Sequence, residues 1–163
     1  MVFIYSTTFL YEDLNHPSVK PMKYVIMYFS RYGNGQKLVT HLAEKLNEKG
    51  AETQMVKINE ADPTAMPNAD VYIFSAPAEA LSLQRNMKAF MKNIKGTEGK
   101  KYGLINTHGM KKDRLDKMEK ILSKKKMIMI AGVDFQVEGE GVQKGNGLPT
   151  GWETKIDEFA KKL

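Results

Sequence analysis

Ser30, Gly33, Asn34 and Gly35 fall together in the segment Ser30-Arg31-Tyr32-Gly33-Asn34-Gly35-Gln36, and their types suit one task, the holding of a small anion. A hydroxyl and two glycines ahead of a helix let several backbone N–H groups converge on a phosphate, with the helix dipole adding attraction. Glycine permits the curl because it has no Cβ to clash. The spacing is neither G-x-G-x-x-G nor a Walker A loop, since Lys37 is not preceded by glycine. Taken alone, the segment is equally a structural turn. Further along, Asn106-Thr107-His108-Gly109 brings one histidine to the same predicted region. His108 either hydrogen-bonds a ligand and exchanges protons with it, as histidine can near neutral pH, or simply faces solvent. His16 and His41 lie elsewhere in the pattern, so no cluster points to a metal. Cysteine is absent, which excludes disulfides, thiolate metal sites, iron–sulfur clusters and thiol nucleophiles together. Redox chemistry here must come from a bound cofactor.

Elements of alternating type must position these residues. Tyr24 to Phe29 reads as a buried strand, and Leu38, Val39, Leu42, Ala43 and Leu46 give the helix that follows, with Gly50 at its C′ position. Gln54 to Ile58 is an amphipathic edge strand and Val71 to Phe74 a fully covered one. The dozen residues between them, with Pro63 and Pro67, leave room for one short helical turn. Met87, Phe90, Met91 and Ile94 mark a third helix ending at Gly96; Tyr102 to Thr107 is the fourth strand. Leu115, Met118, Ile121 and Leu122 line a helix behind Asp113 as N-cap, and Met127 to Val137 is the fifth strand. After Gly139, Gly141, Gly145 and Gly147, a capping box Thr150-Gly-Trp-Glu153 opens the last helix, which buries Trp152, Ile156, Phe159 and Leu163. The alternation predicts an α/β three-layer sandwich on a five-stranded parallel sheet in the order 2-1-3-4-5. Its ligand site lies beyond the carboxyl ends of strands 1 and 3, where loops 30–36, 76–85 and 106–112 converge.

The chain of 163 residues, 42% hydrophobic and 27% charged, has the profile of one soluble domain. Residues 22–163 form that domain. Residues 1–21 read as an N-terminal extension that packs as an edge segment or stays mobile; Met22, directly before the first strand, is a candidate alternative start. The sequence shows no membrane span, basic leader or small-residue cleavage site, so the expected compartment is the cytoplasm. Between Lys100 and Lys126, ten Lys or Arg face three Asp or Glu. That window carries more than the whole net charge of +6, and it is either a solvated helix face or a docking surface for an acidic partner. No nucleic-acid-binding motif accompanies it.

The stretch Tyr28-Phe29-Ser30-Arg31-Tyr32-Gly33-Asn34-Gly35 resembles the FMN-phosphate loop of flavodoxins and flavodoxin-like reductases. Ser75-Ala76-Pro77 with Met87-Lys88-Ala89-Phe90 resembles that family's third strand, flavin loop and following helix, and Thr107-His108-Gly109 its T-x-G turn. The resemblance spans about residues 22 to 163. It implies one FMN, electron transfer, and cofactor contacts from Ser30, Arg31, Tyr32, Gly33, Asn34, Gly35, Gln36, Ala76, Pro77, Ala78, Glu79, Leu81, Asn106, Thr107, His108 and Gly109. Flavodoxins usually place Thr or Ser where Tyr32 and Gly35 stand, so backbone N–H groups or Arg31 take over those phosphate contacts. The segment from Ala78 to Leu83 has no aromatic residue, which leaves Leu81 or Leu83 to cover the ring. Flavodoxins are commonly acidic, whereas the sequence pI here is about 9.3, which implies a redox partner with an acidic docking face. The alternatives are an FMN-dependent NAD(P)H:quinone-type reductase and a flavodoxin-fold binding module without cofactor. A signalling receiver domain is excluded, because Ser30 and Ala76 stand where it needs acidic residues.

Overall fold

A computed structural model describes residues 20–163, so the expectation for the 1–21 extension falls, but for Lys20 and Pro21, outside the described residues. The run of β-branched and aromatic residues after Met22 becomes β1 (Lys23–Tyr28), with every position from Tyr24 to Tyr28 buried. It leads to α1 (Asn34–Glu48), whose buried Leu38, Val39, Leu42 and Leu46 recur at helical spacing. Gly50 follows at C′, and the N–H groups of Gly50 and Ala51 return to the carbonyls of Asn47 and Leu46, which satisfies the last turn. β2 (Glu52–Lys57) alternates in burial as an edge strand does. The short crossover to β3 (Val71–Glu79) holds a single 3-10 turn, Ile58–Glu60. Next come β4 (Ser82–Leu83), α2 (Arg85–Asn93), β5 (Lys101–His108), α3 (Leu115–Ser123), β6 (Ile128–Gln136), a 3-10 turn at Val142–Lys144 and α4 (Trp152–Lys161).

The sheet runs β2-β1-β3-β5-β6, all parallel, and β4 pairs antiparallel with the end of β3. Leaving aside β4, which the sequence analysis places in a loop, this is the expected order. Two apolar clusters divide by strand parity. Val25 and Met27 face Met87, Met91, Met118 and Leu122 of α2 and α3, while Tyr24, Ile26 and Tyr28 face Leu38, Leu42, Ile156 and Phe159 of α1 and α4. Each fully buried Leu, Met or Phe contributes roughly 1.5–3 kcal/mol, and the two layers fix the sheet from both sides. No helix among the described residues is long and apolar enough to cross a membrane.

Two expected caps differ. The N-cap of α4 is Gly151, in a left-handed conformation, and no side chain caps the helix, so the Thr150 capping box does not form. Thr150 stands one residue too early for its hydroxyl to serve the first turn. The N-cap of α3 is Arg114, although Asp113 still accepts the N–H of Leu115 at 2.9 Å through Oδ1.

Candidate functional site

Because β1, β3 and β5 are parallel, their carboxyl ends open on one edge, where a cavity of about 250 Å³ lies between four chain segments. The first wall is the segment after β1. Gly33 has φ of +101°, a left-handed conformation that closes the turn and starts α1. Ser30 Oγ accepts the N–H groups of Gly33 at 3.2 Å and Gln36 at 3.1 Å and so ties the loop into a ring. The N–H groups of Arg31, Tyr32, Asn34 and Gly35 have no acceptor among the described residues, and those of Asn34 and Gly35 belong to the first helical turn, which leaves such donors free. Phe29, Ser30, Arg31, Tyr32, Asn34 and Gly35 line the cavity; Gly33 and Gln36 do not.

The second wall is the β3–β4 hairpin. Pro77, Ala78 and Glu79 line the cavity, whereas Ala76 is buried beneath it and Leu83 belongs to the core. Leu81 projects into solvent at 67% exposure and does not line the cavity, so neither leucine covers a ring. The hairpin turns through Ala80 (φ +47°) and Leu81 (φ +65°), two left-handed residues that are not glycine, at roughly 1–3 kcal/mol of strain each. Arg31 and Glu79 meet across the cavity in a bidentate pair, Nε to Oε1 at 2.6 Å and Nη2 to Oε2 at 3.0 Å. The hydrogen bond to Glu79 and its charge push the Arg31 pKa up, so the guanidinium stays protonated and is committed to a carboxylate rather than to the anion cradle.

Thr107, His108 and Gly109, after β5, form the third wall. Asn106 lies beneath it, fully buried: Nδ2 donates to the carbonyl of Ala76 and Oδ1 accepts the N–H of Arg114, both at 2.9 Å. His108 is 3% exposed, with Nδ1 against the carbonyl of Met110 and Nε2 at 2.6 Å from Asp134 Oδ2. Both ring nitrogens are thus engaged within the protein, and the residue anchors the turn at 108–110 rather than offering a free N–H.

A fourth wall escaped the sequence analysis. Val137 and Val142, from the glycine-rich connection between β6 and α4, face the cavity. Asn34 holds this connection with both ends of its amide: Nδ2 donates to the carbonyl of Val142 and Oδ1 accepts the N–H of Gly147, each at 2.9 Å. Gly145 lies so close that a Cβ there would stand 2.8 Å from the Tyr32 carbonyl oxygen. The cluster of glycines was the signal: Gly145 permits the close approach to Tyr32 and Gly33, and Gly141 and Gly147 let the loop fold tightly on Asn146 and Val142.

A sequence profile described as Flavodoxin domain matches residues 25–138. The chain belongs to the flavodoxin family. A search of curated proteins found no match. Among solved structures, the chain is similar to the flavodoxin of Streptococcus pneumoniae, with 18% identity, a TM-score of 0.68, and coverage of 86% of this chain and 97% of that one. For the two-electron reduced flavodoxin of Megasphaera elsdenii the values are 18%, 0.66, 86% and 99%. The rubredoxin oxygen:oxidoreductase of Desulfovibrio gigas gives 18% and 0.72 over 88% of this chain but only 36% of the larger one. FMN is the cofactor expected of this family, and the cavity fits it. Free amides at one end suit a phosphate, and Phe29, Tyr32, Pro77, Ala78, Val137 and Val142 offer apolar surface to a flat ring. Phe29 and Tyr32, not the hairpin, bring the Phe and Tyr rings of the cavity lining.

Proposed function

We propose that the chain is a flavodoxin that carries electrons on one non-covalent FMN. The observation that carries this reading is the pairing, in one cavity, of an amide-lined cradle at a helix N-terminus with apolar walls. When bound, the flavin supplies the redox chemistry that no side chain of a cysteine-free protein offers. The chain binds, orients and shields: the loop from Ser30 to Gln36 takes the phosphate, and Pro77 to Glu79 and Thr107 to Gly109 flank the ring. FMN is favoured over FAD because the closed loop suits a terminal phosphate and the described residues contain no second nucleotide-binding unit. The redox partner is a protein with an acidic docking face, received by the exposed Lys111 and Lys112 beside the third wall, and the expected compartment is the cytoplasm.

Purified protein should show flavin absorbance or take up one equivalent of FMN with quenching of flavin fluorescence, and the loaded form should pass electrons to a one-electron acceptor. Steady NAD(P)H oxidation by the loaded protein would move the reading to a reductase. A folded chain that binds no FMN would be a binding module.

A further inference from the structure

Arg114 sits half-buried at the start of α3, and among the described residues its guanidinium has no carboxylate partner. Its donors go to backbone carbonyls instead. Nε, at 3.0 Å, and Nη2 both reach the carbonyl of Leu81; Nη1 reaches those of Asp113 at 3.0 Å and Lys112 at 3.2 Å. The Leu81 carbonyl belongs to the left-handed tip of the hairpin whose strand supplies Pro77, Ala78 and Glu79 to the cavity. The Arg114 backbone N–H is itself fixed by Asn106, whose amide also holds the carbonyl of Ala76 in β3. The connections close a circuit: β3 to Asn106, Asn106 to Arg114, and Arg114 back to the hairpin that continues β3.

We propose that Arg114 is a positioning residue for the flavin site, whose forked bond to the Leu81 carbonyl holds the strained tip Ala80-Leu81, and with it the second wall, in the shape that accepts FMN. The inference rests on the FMN reading for its consequence, though not for its geometry. Two planar N–H donors on one carbonyl are something a guanidinium provides and an ammonium does not. Lysine at this position keeps the charge and loses the fork. Residues that favour left-handed turns, Asn followed by Gly, remove the need for the fork altogether.

The test uses Arg114→Lys, alone and combined with Ala80→Asn and Leu81→Gly. In the flavin-free chain, amide hydrogen exchange of Ser82 to Gln84 should accelerate about tenfold in Arg114→Lys, and FMN should bind about tenfold more weakly, with a shifted reduction potential. The triple variant should return exchange and affinity to wild-type values. Wild-type exchange in Arg114→Lys, or failure of the turn substitutions to restore it, overturns the proposal and leaves Arg114 as a rim charge. If wild-type protein binds no FMN, the functional reading fails, while the exchange measurement still decides whether Arg114 holds the tip.

Discussion

Within the anion cradle, two glycines two positions apart do different work. Gly33 is held at φ +101°, which a β-branched side chain does not tolerate, so Gly33→Val should lower FMN affinity by more than about a hundredfold with the core intact, read by FMN titration beside a thermal melt. Gly35 carries no such constraint: a Cβ there would lie 3.5 Å from Ser30 Oγ, an ordinary contact. Gly35→Ser should therefore fold normally and, by adding a hydroxyl donor to a charged phosphate, tighten FMN by about tenfold. Unchanged or weaker binding would mean that the phosphate does not sit against the first turn of α1. The cradle was legible in the sequence because its parts are adjacent and act through backbone. Its side-chain bonds were not legible. Arg31 was expected to reach a phosphate, and its partner, Glu79, lies 48 residues away; Asn34, expected at the cofactor, lines the cavity and also holds a loop 108 and 113 residues away. Pairings at such separations are set by how the sheet places its loops, which no local spacing encodes.

At the scale of elements, the strands and helices followed from hydrophobic period, since each has to bury one stripe or both faces. The exception is β4. Two residues give no periodicity, and the turn before it is Ala80-Leu81, without the Asn or Gly that announces a tight hairpin. The hairpin shows only in the fold, where Ala78 and Glu79 pair with Leu83 and Ser82 and Arg114 donates to the Leu81 carbonyl. The glycine-rich connection after β6 was also legible as a loop and not as a wall, because its side-chain ties to the cradle, from Asn34 to Val142 and Gly147 and from Lys37 to Asn146, span more than a hundred residues. Asn34→Ala should leave the Val142 carbonyl and the Gly147 N–H without their partner, lower stability by about 2 kcal/mol, and speed FMN release more than it slows FMN capture. Denaturant melts and stopped-flow flavin fluorescence measure both. Equal effects on the two rates would show that the connection does not retain the cofactor.

For the whole molecule, the order of the sheet located the cavity before any motif did, because parallel strands bring their following loops to a single edge. Charge is distributed as unevenly as the loops are. Lys111 and Lys112 stand exposed beside the third wall, whereas Lys124 to Lys126 follow the far end of α3, about 15 Å away at 1.5 Å of rise per residue. With screening over about 8 Å at physiological salt, the near pair should dominate the approach of an acidic partner. Replacing Lys111 and Lys112 with Glu should slow electron transfer and flatten its dependence on ionic strength, with FMN affinity unchanged. A larger effect from the same change at Lys124 to Lys126 would place the docking face elsewhere. The fourth wall carries a consequence for biosynthesis. The family profile ends at residue 138, and the segment that shuts the cavity runs on to Gly147, followed by the helix that packs beside α1. A ribosome makes these residues after the other three walls, so a nascent chain that has emerged only as far as residue 138 presents the cradle without the Val142 side of its fourth wall.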